Sequence, residues 1–124
     1  MSNEITVSAL LRVKNGGLEE RWSSGNVKVD QAAARAAGPI QIIGFAAHEA
    51  LVLTDITTAG YAYFKNIEAS GGNFVEIGID VAGVFHAFMK LKAGEAAVLR
   101  MGTNTPYAQA DTGNVSLQLR VMED

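Results

Sequence analysis

From Gly60 to Met122 the chain runs in short segments of alternating apolar and polar residues, separated by turns that mostly carry glycine. The segments are Gly60 to Asn66, Asn73 to Asp80, Phe85 to Leu91, Glu95 to Met101 and Asn114 to Met122. Strands at such close spacing specify an all-β sandwich or barrel. Period-2 alternation is clearest twice: Val75, Ile77, Ile79 and Val81 oppose Glu76, Gly78 and Asp80, and Val115, Leu117, Leu119 and Val121 oppose Ser116, Gln118 and Arg120. One wet face per strand belongs to antiparallel sheets.

The same reading extends toward the N-terminus. Glu4 to Lys14 reads as a strand with Val7, Ala9, Leu11 and Val13 on one face, and Asn15-Gly16-Gly17 as its turn. Leu18 to Asp30 is more polar, with a second turn expected near Ser23-Ser24-Gly25-Asn26. Asp30 to Ala37 is the one helical suggestion, capped by Asp30 and stopped by Gly38-Pro39; at about eight residues it is marginal, and a loop with one helical turn serves equally. Ile40 to Ala46 and Ala50 to Thr54 read as short buried strands. No repeat or linker divides residues 1–124, so the expectation is a single β-sandwich domain of about eight strands, with residues 1–38 including a partner-contacting arm.

In Asp80-Val81-Ala82-Gly83, Asp at the first position and Gly at the fourth favour a type I turn. A three-residue loop with a bulge would pair Asp80 with Val84 and set Phe85, Ala87 and Met89 beside Val75, Ile77 and Ile79. His86 would then face the Glu76 side.

Composition narrows the chemistry. Without cysteine there are neither disulfides nor thiolate metal sites. Ten Lys and Arg against thirteen Asp and Glu, scattered in sign, leave a net charge of −3 and lack the basic stripe of a nucleic-acid binder. The most apolar stretch, Pro39 to Leu53, is interrupted by Gln41, His48 and Glu49 and is too short for a membrane helix. The start Met-Ser-Asn-Glu-Ile lacks the charged and apolar regions of a secretory signal.

Catalytic constellations are equally sparse. His48, beside Glu49, and His86 are the only histidines, with neither a third ligand nor a matching nucleophile. Glycines at 15–17 and 70–72 fit turns and match no phosphate-loop spacing. Asp111-Thr-Gly-Asn114 lacks the spacing of a calcium loop. Catalytic, cofactor-binding and metal residues are therefore expected to be none. Trp22, in a polar segment, reads either as an anchor to a partner or as a lid on the core.

Gly60-Tyr-Ala-Tyr-Phe-Lys-Asn66, Phe74-Val-Glu-Ile-Gly-Ile-Asp80, Phe88-Met-Lys-Leu-Lys-Ala-Gly-Glu95 and Ala97-Val-Leu-Arg100 together resemble small structural proteins encoded among the morphogenesis genes of tailed bacteriophages. The resemblance covers roughly residues 40–122. It implies a jelly-roll-like sandwich made in the bacterial host cytoplasm and built into a virion, without enzymatic activity or cofactor. The role implied is capsid decoration, or cementing, on the major capsid protein or other virion proteins, as a homo-oligomer with a trimer favoured, and without nucleic-acid or membrane partners. A tail or head-fibre component is the near variant. The candidate partner contacts are Trp22 in the arm and Lys92 and Glu95 in an exposed turn. A carbohydrate-binding sandwich using Tyr61, Tyr63 and Trp22 is the alternative from another class, and a cupin-type enzyme is opposed by the absence of His-x-His.

Overall fold

A computed structural model describes residues 3–124 and divides the chain into two compact units, one running up to Ala33 and one covering Ala34–Asp124. The first is a hairpin of β1 (Ile5–Asn15) and β2 (Leu18–Val29), closed at Gly16-Gly17 with Asn15 opposite Leu18. Gly16 takes φ +56°, which glycine adopts without a Cβ penalty.

The second unit contains β3 (Ala36–Ala37), β4 (Ile40–Ile43), β5 (Glu49–Ala50), β6 (Ala59–Asn66), β7 (Val75–Val81), β8 (Val84–Leu91), β9 (Ala96–Arg100), β10 (Tyr107–Ala110) and β11 (Val115–Glu123). They form two antiparallel sheets. One runs β3–β11–β6–β9, with β4 also on β11; the other runs β5–β10–β7–β8. The all-β, sandwich-like class expected from alternation is the class observed.

Side chains from both sheets meet in one core. Phe64 on β6, Val75 and Ile77 on β7, and Val115, Leu117, Leu119 and Val121 on β11 are all buried. Alternation causes this directly: on β11 every second residue points inward, leaving Gln118 and Arg120 outside. Asn66 is the buried polar exception. Its Nδ2 donates to the carbonyls of Asn73 and Leu91, both at 3.0 Å, and its Oδ1 accepts from the Glu68 N–H at 3.0 Å. All its main polar capacity is met, as burial requires.

The β7–β8 turn differs from the expected one. Val81 pairs with Val84 and Asp80 with Phe85 across a two-residue loop in which Ala82 (φ +53°) and Gly83 (φ +84°) both lie in the left-handed region. That is a type I′ turn, whose twist matches the strands it joins. The irregularity sits further along: Ile77 pairs with Met89 but Gly78 with Ala87, so Phe88 is the extra residue. Met89 is beside Ile77 as expected, while Phe85 and Ala87 are turned to the opposite face. His86, expected beside Glu76, instead pairs with Ile79.

Other local readings also change. Ser23 to Asn26 is no turn but lies within β2, and Asp30 to Ala37 is irregular apart from Ala36-Ala37, which pair with Met122 and Val121. Beyond Ala50 the chain leaves the sheet, so Leu51 to Thr54 is not strand. β10 was not foreseen, because Tyr-Ala-Gln-Ala is short and half alanine, a poor strand former.

Candidate interaction surfaces

In the hairpin, directly opposed residues share a face. The pairs Ile5–Val29, Val7–Val27 and Leu11–Trp22 put six apolar side chains together. A bulge makes this possible. Between Ser8–Asn26 and Leu10–Ser23, the single residue Ala9 faces both Ser24 and Gly25. One extra residue in β2 reverses its alternation, so odd-numbered Val27 and even-numbered Trp22 point the same way. Local bonds hold the bulge: the Ala9 N–H donates to Ser24 Oγ at 2.9 Å, Ser24 Oγ donates to the Gly25 carbonyl at 2.7 Å, and Gly25 takes φ +66°.

The resulting apolar face is open. Leu11 is 70% and Trp22 66% exposed. The indole N–H donates to Glu20 Oε1 at 3.0 Å.

The opposite face carries charge of both signs: Arg12 and Arg21 lie directly across from each other, Lys14 faces Glu19, and Lys28 faces Thr6. Like charges directly opposed destabilise a strand pair. Among the described residues none of the four cations has an ion-pair partner.

Lys92 and Glu95 occupy the turn between β8 and β9. The Glu95 N–H donates to the Lys92 carbonyl at 2.9 Å, and Gly94 at the third position has φ +85°, as a type II turn requires. Glu95 Oε1 accepts the Lys92 N–H at 2.8 Å, so this carboxylate braces its own turn. Lys92 is exposed and lines, with Phe74 and Asp111, a cleft of about 430 Å³. The Phe74 ring is covered by Lys90 Nζ at 4.1 Å.

The histidines part company. His48 Nε2 donates to Asp80 Oδ2 at 2.6 Å, and its ring stacks on Phe85 and tilts against Tyr107. That bond, aided by the Gly83 N–H on Oδ1, holds the Asp80 carboxyl below its ordinary pKa. Glu49, the sequence neighbour of His48, instead accepts from Gln41 and the Gly44 N–H. His86 is exposed. Among the described residues no group of three or more His, Cys, Asp or Glu is placed to hold a metal ion. Tyr61, considered as a sugar platform, has the Arg100 guanidinium over its ring at 4.6 Å.

Trp22 thus lies in one unit, and Lys92 and Glu95 in the other. Leu11, Arg12 and Arg21 were not singled out in advance. The apolar set on β1 was visible in the sequence, but the bulge that adds Trp22 to it was not. Comparison with protein-family models, curated proteins and solved structures finds no match.

Proposed function

We propose that the chain is a non-enzymatic structural protein of a tailed-phage virion, a decoration protein that binds the outer shell in many copies and reinforces it. The observation that carries this reading is the hairpin. A two-stranded sheet is marginal in water on its own, and this one exposes Leu11 and Trp22 on one face and sets Arg12 opposite Arg21 on the other. Such a ribbon is suited to binding another protein surface, with the opposed Arg12 and Arg21 offered to carboxylates on the shell. The binding energy of each copy adds to the cohesion of the shell beneath it.

The body is proposed to be a jelly roll. Taking β3 and β4 as one strand, its strands number one to eight along the chain. The pairings β4–β11, β5–β10, β6–β9 and β7–β8 then join first to eighth, second to seventh, third to sixth and fourth to fifth. A long antiparallel ribbon rolled up on itself pairs its strands in this way, and jelly rolls serve in viral capsids. Lectins use them too, but Arg100 occupies the Tyr61 ring that a sugar would need. Self-association, as a trimer by the resemblance, completes the proposal.

Mass-spectrometric quantification of the chain against the major capsid protein in purified particles tests this. The expected result is near one copy per shell subunit. A handful per particle would assign it to the tail or a vertex, and absence would overturn the virion reading.

A further inference from the structure

The tip of the hairpin arm holds a reactive pair of neighbours. Asn15 is the last residue of β1, and Gly16 follows it at φ +56° in the two-residue loop before Leu18. Of the seven asparagines in the chain, only Asn15 precedes a glycine. Asn15, Gly16 and Gly17 are all exposed, and nothing lies within 4 Å of where a Cβ would stand on either glycine. The register ends its pairing at Asn15 and Leu18, so the Gly16 N–H stands outside the strand ladder. Approach to the Gly16 nitrogen is open.

We propose that Asn15 is a self-modifying site, at which the arm tip turns into aspartate and isoaspartate as the protein ages. Asparagine is a thermolabile residue, and glycine leaves its own nitrogen unscreened. The Gly16 nitrogen loses its proton to hydroxide and attacks the carbonyl carbon of the Asn15 side chain. An N–Cγ bond forms, the Cγ–Nδ2 bond breaks and ammonia leaves, closing a succinimide ring. Water then opens the ring. Cleavage at Cγ gives aspartate, and cleavage at the main-chain carbonyl gives isoaspartate. Water is taken up and ammonia released in equal number, without oxidation or reduction. At Asn26-Val27 or Asn73-Phe74 the following side chain hinders the same attack. Asn66 is fully buried, with its amide held by two carbonyls.

Both products change the arm. Residues 1–33 hold four acidic and four basic side chains, so one new carboxylate tips this balance to net negative. Isoaspartate also adds a carbon to the main chain at the Asn15–Leu18 pair, where the hairpin closes. A two-stranded ribbon has little else to hold its register there. If the arm binds carboxylates on a shell, ageing weakens that grip. This consequence rests on the proposed function, whereas the chemistry does not.

The full chain, incubated at mildly alkaline pH in water enriched in heavy oxygen and then digested in ordinary water, tests both. Label is expected in the tryptic peptide Asn15–Arg21, as two separable products, and sooner at higher pH because hydroxide generates the nucleophile. Asn15→Gln is expected to fold alike by circular dichroism and to take up no label in that peptide. Uptake no faster there than at the other asparagines, or unaffected by alkali, would overturn the proposal. Fresh and aged chains are then compared for binding to shells made without the protein. Aged wild type should bind more weakly than fresh, and aged Asn15→Gln should not. Equal binding by labelled and fresh wild type would remove the effect on the arm. A fresh chain that binds no shell would contradict the shell reading instead, while the label still decides the chemistry.

Discussion

The side-chain amide of Asn66, at the end of β6, donates to the carbonyl of Leu91, at the end of β8, and so ties one sheet to the other at 3.0 Å. The same amide holds Asn73 just ahead of β7, and the Asn66 oxygen holds Glu68. Three strand ends depend on one buried side chain. Asn66→Ala would leave two carbonyls and an N–H without partners in the interior, at about 1–3 kcal/mol each where water cannot reach. The expected loss is about 2–4 kcal/mol, read as a lower urea midpoint with unchanged slope.

Ala82 occupies a left-handed position in the β7–β8 turn, where a Cβ is disfavoured by about 1 kcal/mol. Ala82→Asn or Ala82→Gly should therefore stabilise the protein by about 0.5–1 kcal/mol, measured by thermal melting. A loss of stability would rule out the type I′ geometry.

Gly78 has no room for a side chain. A Cβ there would run into the backbone of His86 and Ala87 across the sheet, next to the Phe88 bulge. Gly78→Ala is expected to cost more than about 3 kcal/mol, because neither strand can yield without breaking the pairing. A mild effect would show that β8 does not approach β7 so closely.

Glu123 gives the fold an acid-sensitive joint. Its buried carboxylate accepts the N–H of Thr57 at 3.0 Å and of Thr58 at 2.6 Å, with Arg35 Nη2 at 3.4 Å. The backbone bonds, then the Arg35 charge, hold its pKa below the ordinary value despite burial. A lowered folded-state pKa means that its stabilising contribution is fully present above the unfolded carboxylate value, about 4.3, and is lost as pH falls through the folded value. Asp80 acts in the same direction. Urea midpoints should therefore fall as pH drops below about 4.5, and Glu123→Gln should flatten that slope while lowering stability at neutral pH. An unchanged slope in the variant would assign the acid sensitivity elsewhere.

Much of the body was legible because alternation reports burial directly: Val115 to Val121 show it, with every second residue inside. The β7–β8 turn departs from the expected type for a physical reason. Asp80 and Gly83 do favour type I, but the twist of the paired strands outweighs local preference and puts Ala82 where alanine is poor. The bulge then moved to Phe88 and reversed Phe85, His86 and Ala87. In β2, Ser-Ser-Gly-Asn has turn composition yet serves as a bulge, since only pairing with Ala9 distinguishes the two. The Arg12–Arg21 pair depends on register across strands, which spacing within one strand does not reveal.

The shell-binding role is tested most directly by adding the purified chain to particles made without it. We expect saturable binding near one copy per shell subunit, a higher shell melting temperature, and weaker binding at high salt or with Arg12→Glu and Arg21→Glu together. Shells that bind no chain, and melt unchanged in its presence, would contradict the account.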